Sequence, residues 1–275
     1  MNKSIIELLR CPVCGAEGGV SEDQKSFRCH GPRTHCFDFS KSGYLNLAGP
    51  HAGAGDLKAA VRARTLFLEG GYYEPLSDEI NHLLDTLNAK TILDAGCGEG
   101  YYSNRVAEGR VLLGVDLSSA GIDHAAKTAK RTENGAGYVV ASLFTLPVGD
   151  RCFDAVLNLF APCSEEEFCR VLKEDGYMII VAAGERHLFG LKSVLYDNPY
   201  SNSGRADLPQ NAELVSKHNL HYEITVEGQA QIEALFSMTP YYWRTSERDK
   251  AKLTELQSLR TEVDFDIFVY KRGPI

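Results

Sequence analysis

The chain lacks any run of eighteen consecutive apolar residues, the length that a membrane-spanning helix requires. Its N-terminus, MNKSIIELLRCPVC, has an apolar segment too short for a secretory signal and offers no small-residue cleavage site. No internal repeat or low-complexity tract interrupts the 275 residues, of which 44% are hydrophobic. We therefore expect no membrane partner and a soluble, cytoplasmic chain with one large domain and a small appendage.

The chain has no excess of positive charge, since 29 Lys or Arg face 37 Asp or Glu and the formal net charge is −8 at pH 7. The charge is uneven, because residues 1–75 hold nine Lys or Arg and eight Asp or Glu, whereas residues 76–275 hold twenty and twenty-nine. The front of the chain is therefore its less acidic part. Two interpretations stay open for it, an RNA-facing end and an ordinary solvated surface.

Cysteine is plentiful, with eight in the chain, and cytoplasmic thiols stay reduced. Cys11 and Cys14 form a Cys-x-x-Cys step in LLRCPVCGAEGG. Further on, RCHGPRTHCFDF offers four more metal-capable side chains: Cys29, His30, His35 and Cys36. Two thiolates on one tight turn that face a second pair across a small hairpin suit tetrahedral zinc. The spacing predicts a zinc site and leaves open which members of the second group bind the metal.

The organisation of the chain follows from its composition and periodicity. Residues 1–47 are short of core-forming side chains, which predicts a metal-organised module. Residues 48–75 are interpreted as a linker and a helix, since Gly/Ala/Pro-rich sequence precedes apolar residues at helical spacing that stop at Gly70. From residue 76 to 275, strand and helix signals alternate, and they predict an α/β domain with a parallel sheet wound on both faces. The predicted strands are 91–96, 111–116, 137–142, 153–160, 176–183 and 263–272. Ser164 and Glu167 also have the spacing of a capping box.

TILDAGCGEGYYS is the most informative segment. An apolar strand ends in Asp94 and runs into Gly96-x-Gly98-x-Gly100, where backbone N–H groups can approach a ligand without an intervening side chain. A dinucleotide-binding fold would place glycine or alanine where this chain has a tyrosine, directly after the third glycine. Asp116 ends the next predicted strand, where a carboxylate can accept hydrogen bonds from both ribose hydroxyls. The pattern resembles motif I of the Rossmann-like class I methyltransferases that use S-adenosylmethionine, and it favours them over an NAD-dependent enzyme.

Two further segments fit that resemblance. Ser142 and Leu143 follow the third predicted strand, where such enzymes contact the adenine. FDAVLNLFAPC brings Asn158, Phe160 and Pro162 to the carboxyl end of the fourth strand, beside the position of the sulfonium methyl group. The resemblance therefore implies S-adenosylmethionine as cofactor and a substrate-facing loop after the fourth strand.

The order of several motifs is more specific than motif I. The chain resembles the bacterial 23S ribosomal RNA guanine-N1-methyltransferases over almost its whole length, in the succession of CPVC, FDFSKSGYLNL, FLEGGYYEPL, LDAGCGEGYYS, FAPC, ERHLFGLK and MTPYYWR. Members of that family methylate one guanine in a hairpin loop of the large-subunit RNA, and some confer macrolide resistance. The resemblance implies an rRNA hairpin as partner. It leaves open which guanine is modified, whether resistance results, and whether the chain is a monomer or a homodimer.

The resemblance also assigns residues by position. The family's zinc ligands fall on Cys11, Cys14, Cys29 and His35, and additional cofactor contacts fall on Tyr73 and Tyr101. The family's Cys-x-x-x-His step is two residues longer here, which leaves His30 and Cys36 as rivals of His35. Cations of the same module are predicted to contact RNA phosphates: Lys25, Arg28, Arg33 and Lys41.

The chemistry of guanine N1 sets the remaining requirements. N1 carries a proton at neutral pH, so methylation requires a route for its removal and an aromatic face for the flipped base. Phe160, with Pro162 beside it, and the pair Tyr101-Tyr102 are the candidates for that face. For the proton, GERHLF offers Glu185 and His187, and His187 and Arg186 are candidates for substrate contact. The identity of the general base stays open. Residues 196–209 are interpreted either as a mobile lid or as an inert surface loop.

Two other functions compete with rRNA methylation. One keeps the cofactor and changes the substrate to a small molecule or a protein, because motif I occurs in methyltransferases of every substrate class. The zinc module argues against it. The other is a non-catalytic zinc-containing factor that binds the ribosome, and the intact residues of motif I argue against that.

Overall fold

The structure is a computed structural model that describes residues 1–49, 55–202 and 208–273. Residues 50–54 of the predicted linker and residues 203–207 of the predicted lid lie outside the described residues. The helices are α1 (Lys3–Leu8), α2 (Lys58–Glu69), α3 (Glu74–Thr86), α4 (Tyr101–Val106), α5 (Ser119–Thr132), α6 (Glu165–Val171), α7 (Phe189–Leu195), α8 (Gln229–Ser237) and α9 (Glu247–Ala251). The strands are β1 (Gly18–Val20), β2 (Ser26–Cys29), β3 (Cys36–Asp38), β4 (Leu45–Asn46), β5 (Thr91–Ala95), β6 (Val111–Asp116), β7 (Gly137–Val140), β8 (Phe153–Leu159), β9 (Leu172–Ala183), β10 (Glu213–Glu227) and β11 (Ser258–Lys271). Within these three ranges, no helix combines the length and apolar character needed to cross a bilayer.

Two sheets organise the described strands. The small sheet is antiparallel with the order β1-β2-β3, and the large sheet has the order β10-β11-β9-β8-β5-β6-β7-β4. Neighbours from β9 to β4 are parallel, and β11 runs antiparallel to both β9 and β10. From β5 the chain moves outward through β6 and β7 and then returns to β8 on the other side of β5. This reversal opens a crevice at the carboxyl ends of β5 and β8, where open α/β sheets bind ligands. The predicted parallel sheet is confirmed from β9 to β4, whereas the predicted strand at 263–272 lies in β11 and runs antiparallel, so the sheet is mixed.

Helices cover both faces of the large sheet because successive residues of a buried strand point to opposite sides. Ile92 and Leu93 of β5 are both fully buried. Ile92 shares a core with α2, α3, α7 and α8, and Leu93 shares the opposite core with α1 and α6. As predicted, α2 ends at Gly70.

The N-terminal module shares a core with the large domain. Ile5 and Leu9 around α1, and Phe27 of β2, are fully buried in the same cluster as Leu93. Strand β4 pairs in parallel with β7, with Leu45 opposite Val139, and so forms one edge of the large sheet. The module boundary at residue 47 remains a prediction. The inner surface of the module is nevertheless continuous with the core of the large domain, so the module is packed as part of that core.

Two local predictions need correction. The capping box at Ser164 does not form, because the side chain of Ser164 makes no capping bond and the carboxylate of Glu167 accepts from Arg170 Nε (2.7 Å) and from the N–H of Leu146 (2.7 Å). A tertiary contact therefore takes the acceptor that the capping box needed. The sequence prediction also missed β10, a 15-residue strand on the outer edge of the sheet. Its first half is mostly exposed, although Leu220, Tyr222, Ile224 and Val226 alternate with exposed residues in its second half.

Candidate metal centre and cofactor cleft

Four side chains of the N-terminal module converge on one point. The ligand atoms of Cys11, Cys14, Cys29 and His35 all lie within 4.8 Å of one another. Cys14 Sγ and Cys29 Sγ are 3.7 Å apart, and His35 Nδ1 lies 3.5 Å from the Sγ atoms of Cys11 and Cys29. A tetrahedral zinc ion, with bonds of about 2.3 Å to sulfur and about 2.0 Å to nitrogen, holds its ligand atoms about 3.5 to 3.8 Å apart. These three separations therefore fit a zinc ion bound by three thiolates and one imidazole.

The local backbone explains how this cluster forms. Gly15 adopts a φ of +71° and its N–H donates to the carbonyl of Cys11 (2.8 Å), which closes the turn of CPVCG. The N–H of Cys29 donates to the carbonyl of His35 (3.1 Å), and the N–H of His35 donates to Cys29 Sγ (3.1 Å). These two bonds close the loop between Cys29 and His35. The two extra residues are accommodated inside that loop and leave His35 at the cluster.

The rivals of His35 lie elsewhere. Cys36 is exposed on β3 and His30 is exposed in the preceding loop, and neither belongs to the cluster. The amide of His35 that donates to Cys29 lowers the pKa of this thiol to about 6. The cluster therefore contains a thiolate at neutral pH, which is the form of cysteine that binds zinc.

A cleft of about 400 Å³ opens at the carboxyl ends of β5, β6 and β8. The glycine loop after β5 forms part of its wall, and Gly96, Gly98 and Gly100 have φ angles of +88°, +55° and +78°. A Cβ atom on Gly96 would lie 2.5 Å from Ala161 Cβ, so glycine is required where this loop meets the segment after β8. Most of the predicted residues line the cleft or the pocket beside it: Tyr73, Asp94, Gly96, Gly98, Asp116, Leu143, Phe160, Pro162 and His187.

Asp116, the last residue of β6, is hydrogen-bonded to the glycine loop. Its Oδ2 accepts from the N–H of Gly98 (3.0 Å), and its Oδ1 accepts from the N–H of Ser118 (2.7 Å). Because each carboxylate oxygen accepts more than one hydrogen bond, the remaining lone pairs are available to a ligand. The carboxylate is therefore held rigidly at the position predicted for ribose recognition.

Asp94 is a buried acid with one unused oxygen. It is 1% exposed, and its Oδ2 accepts from the hydroxyl of Ser103 (2.5 Å). Its Oδ1 has no hydrogen-bond partner among the residues that the structure describes. Burial, with smaller contributions from Asp116 and Glu99, raises the pKa of Asp94 to about 7. A buried acceptor without a donor is costly, so this residue on the cleft wall suits a cationic ligand group.

Arg64 of α2 is a cleft residue that the sequence did not reveal as functional. Its Nε donates to Glu99 Oε2 (2.5 Å) and its Nη2 donates to Asp56 Oδ2 (2.6 Å). The guanidinium also borders the glycine loop, because a Cβ atom on Gly98 would lie 3.6 Å from Arg64 Nη2. Among the described residues that line the cleft, Arg64 is the cation and four are acids: Asp56, Asp94, Glu99 and Asp116.

Four predicted cofactor residues do not line this cleft. Tyr101 and Gly100 border a neighbouring pocket on the far side of the loop, and Tyr102 lines the cleft where Tyr101 was predicted, because the first turn of α4 turns Tyr101 away. Asn158 is buried and donates to the carbonyls of Ala95 and Pro162 (both 3.1 Å), so it braces the loop after β8. The hydroxyl of Ser142 accepts from the N–H of Phe144 (3.2 Å) and shapes the turn that carries Leu143.

A second cavity of about 630 Å³ shares one wall with the cleft. Arg64, Tyr73, Phe160, Pro162 and Met238 border both cavities. Phe160 has a φ of +57° and is 47% exposed, with its ring 5.6 Å from that of Phe265. No carboxylate lies among the described residues that line this second cavity. The pocket is therefore largely apolar and aromatic where it meets the cleft.

His187 lies in that pocket as a neutral imidazole. Its Nδ1 accepts from the N–H of Asp264 (3.3 Å), so Nε2 carries the proton and donates towards Tyr73 Oη (3.3 Å). Burial lowers the pKa of His187 to about 4. At neutral pH His187 is therefore uncharged and a weak base, and its hydrogen bond orients Tyr73. Arg186 faces away from the pocket, because it pairs with Glu262 (2.5 Å) and stacks on the ring of Phe189 (3.9 Å).

Comparisons with known proteins agree with both sites. A family model described as "Methyltransferase domain" matches residues 92–176, and one described as "RlmA, N-terminal", a zinc ribbon, matches residues 9–49. A Bacillus subtilis protein, provisionally named as a 23S rRNA (guanine-N(1)-)-methyltransferase, is 34% identical over 95% of this chain and 96% of its own length. The 23S rRNA (guanine(748)-N(1))-methyltransferase of Streptomyces fradiae is 31% identical over 71% of this chain and 70% of its own length. A Micromonospora griseorubida protein, also provisionally named as an enzyme of this kind, is 29% identical over 92% of both chains.

Proposed function

This chain belongs to the family of the 23S rRNA (guanine-N1)-methyltransferases, and on that premise we propose that it transfers a methyl group from S-adenosylmethionine to N1 of a guanine in 23S rRNA. The class I methyltransferase fold and the zinc-binding module that the sequence predicted are confirmed. The observation that carries the proposal is that Tyr73, Phe160 and Pro162 border both the cleft and the aromatic pocket. A methyl donor bound in the cleft and an acceptor base bound in the pocket would therefore lie next to each other, which is the main requirement of a methyl transfer.

The charges of the cleft match those of S-adenosylmethionine, which carries a ribose, a sulfonium, an ammonium group and one carboxylate. Asp116 would accept from the ribose hydroxyls, and the unused Oδ1 of Asp94 would accept from the amino group of the methionyl part. Arg64, the cation of the described cleft wall, would bind the methionyl carboxylate beside the glycine loop. When bound, the cofactor supplies a methyl group on a sulfonium, and the resulting thioether is a good leaving group that needs no acid.

The target base must be unpaired, because N1 lies on the Watson–Crick edge that a helix occupies. A guanine in a hairpin loop can be splayed out and stacked on an aromatic ring. Phe160, half-exposed at the shared wall, offers that ring. We therefore propose a hairpin loop of 23S rRNA as the substrate, and a ribosomal substrate implies a cytoplasmic enzyme.

The pocket offers no side chain that is suited to accept the N1 proton. No carboxylate lines its described part, and the Nδ1 of His187 is occupied by an amide. We propose that the proton leaves to water and that the protein contributes position and orientation. Single-turnover methylation should then rise with pH towards the pKa of guanine N1 itself. His187→Gln should lower the rate without changing that pH profile, and a profile that becomes flat in this variant would identify His187 as the base.

The zinc module is proposed to hold the RNA. Lys25, Arg28, Arg33 and Lys41 are exposed, and none forms an ion pair within the described part of the chain, so all four are available to phosphates. We propose residues 1–47 as this module, 48–75 as the linker and helix, and 76–275 as the methyltransferase domain. Deleting the module would remove α1 and β4 from the core and could unfold the large domain. Point substitutions of the cations therefore test RNA binding more directly. Lys25→Ala with Arg28→Ala should raise KM for rRNA and leave cofactor binding unchanged, while the exposed control Lys127→Ala on α5 should change neither.

The proposed activity is tested by transfer of a labelled methyl group. Purified protein and S-adenosylmethionine are incubated with unmodified 23S rRNA, 16S rRNA, transfer RNA or a cell lysate freed of nucleic acid. The proposal predicts label in 23S rRNA and a primer-extension stop at one guanine. Label in small molecules or proteins instead would favour the alternative methyltransferase, and no label with tight ribosome binding would favour the non-catalytic factor.

A further inference from the structure

Trp243 is the single tryptophan of the chain, and it is 82% exposed. The segment that carries it follows α8 and begins as part of the aromatic pocket, since Met238, Thr239, Pro240 and Tyr241 line that cavity. Tyr241 is 8% exposed, and two residues later Trp243 stands in solvent. The exposed ring therefore lies close in sequence to the proposed substrate pocket.

The turn that presents Trp243 is held by several contacts. The N–H of Arg244 donates to the carbonyl of Tyr241 (2.9 Å), and that of Tyr242 donates to Thr239 (3.2 Å). The ring of Tyr242 packs edge-on against Phe236 (5.1 Å) and against Trp243 (5.0 Å). A single exposed apolar residue is common on protein surfaces. A large exposed ring on a braced turn, two residues after a side chain that lines the pocket, is instead suited to stacking on a ligand ring.

Positive charge follows Trp243 in the sequence of an otherwise acidic protein. Residues 244–252 contain four cations and two acids, and the cations are Arg244, Arg248, Lys250 and Lys252. Lys250 pairs with Glu247 and Lys252 pairs with Asp249. Arg244 and Arg248 are exposed and have no ion pair among the residues that the structure describes. An aromatic face flanked by uncommitted arginines is complementary to a base and its phosphate.

We propose that Trp243 stacks on an unpaired nucleotide next to the target guanine, with Arg244 and Arg248 contacting the adjoining phosphates. The proposal rests on the proposed rRNA substrate and adds a second contact outside the catalytic pocket. Base stacking tolerates any nucleotide because every base has an aromatic face, so Trp243 would contribute affinity and not sequence choice. It would hold the loop while the target base occupies the pocket.

The test combines kinetics with the fluorescence of the single tryptophan. Trp243→Ala should raise KM for 23S rRNA about 5- to 150-fold while kcat and the Kd for S-adenosylmethionine stay unchanged. Trp243→Phe should restore most of the loss because the phenyl ring keeps an aromatic face. Leu214→Ala, which trims another exposed apolar side chain on β10, is the matched control and should change nothing.

Solvent access to Trp243 gives a readout that does not depend on catalysis. Acrylamide should quench Trp243 in the free protein, and a saturating 23S rRNA transcript should protect it. Quenching that is unchanged by bound RNA, or a KM of Trp243→Ala within about two-fold of the wild type, overturns the proposal. A protein partner for this surface would give the same two negative results. If the wild-type protein transfers no methyl group to 23S rRNA, the proposed function is contradicted instead. The quenching experiment would still show whether Trp243 contacts the RNA.

Discussion

Replacing Arg64 with leucine should weaken S-adenosylmethionine binding by removing the cation that we propose binds the methionyl carboxylate. A hydrogen bond to a charged group contributes about 1.5 to 3 kcal/mol. The Arg64 side chain is 28% exposed, so solvent screening favours the lower half of that range. We expect a loss of about 2 kcal/mol, or roughly 30-fold in Kd, measured by isothermal titration calorimetry.

A ligand without the carboxylate separates this role from a structural one. 5′-Methylthioadenosine keeps the adenine, the ribose and the sulfur, so its Kd should change little in Arg64→Leu. Arg64 also pairs with Glu99, which is 5% exposed, and the freed Glu99 carboxylate would itself repel the carboxylate of the cofactor. The double variant Arg64→Leu with Glu99→Gln removes that repulsion and should keep most of the loss.

Arg105 provides the matched control for Arg64. Arg105→Leu also removes a partly exposed arginine that is paired with acids, Glu74 and Asp78, but one that lies outside the cleft. It should leave the affinities for both ligands unchanged. The reasoning is refuted if Arg64→Leu weakens both ligands equally, since Arg64 would then only hold α2 against the glycine loop.

Three further changes test the rest of the site. Asp116→Ala should weaken cofactor binding by about 2 kcal/mol in the same calorimetric assay, and unchanged binding would remove ribose recognition from this residue. Asp94, with a pKa of about 7 in the free protein, should lose its proton when it receives the cofactor's ammonium. The affinity for S-adenosylmethionine should therefore rise with pH below about pH 7 and level off above it, and Asp94→Asn should abolish that rise; a wild-type affinity without any such rise would contradict the contact. His35→Ala should lose zinc in elemental analysis and Cys36→Ser should keep it, whereas the reverse result would assign the fourth ligand to Cys36.

The sheet and the metal cluster were predictable because their signals are local. Strands β5 to β8 are short apolar runs between turn residues, and Cys11 and Cys14 occupy one turn whose spacing suits zinc whatever surrounds it. Whether His35 or Cys36 is the fourth zinc ligand could not be predicted from the spacing of the residues. It depends on the shape of the loop that the hydrogen bond from the His35 amide to Cys29 closes.

The missed residues depend on tertiary contacts. Arg64 lies on a helix that carries no recognisable motif, and its partner Glu99 lies 35 residues away in the chain. Tyr101 and Tyr102 are adjacent, and only the direction of the first turn of α4 decides that Tyr102 faces the cleft. His187 was a reasonable candidate base until its burial and the amide of Asp264 showed a neutral imidazole.

The position of the methyl group on ribosomal RNA from cells tests the central claim most directly. Ribosomal RNA from a strain without the gene would be compared with RNA from the same strain carrying the wild type or Asp116→Ala. Primer extension would locate the modified nucleotide, and mass spectrometry of digested 23S rRNA would identify it. The account predicts one guanine with a methyl group at N1, present with the wild type and absent both in the deletion strain and with Asp116→Ala. Identical 1-methylguanosine content in all three strains, or a methyl group that appears on a ribose or an exocyclic amine instead, would contradict it.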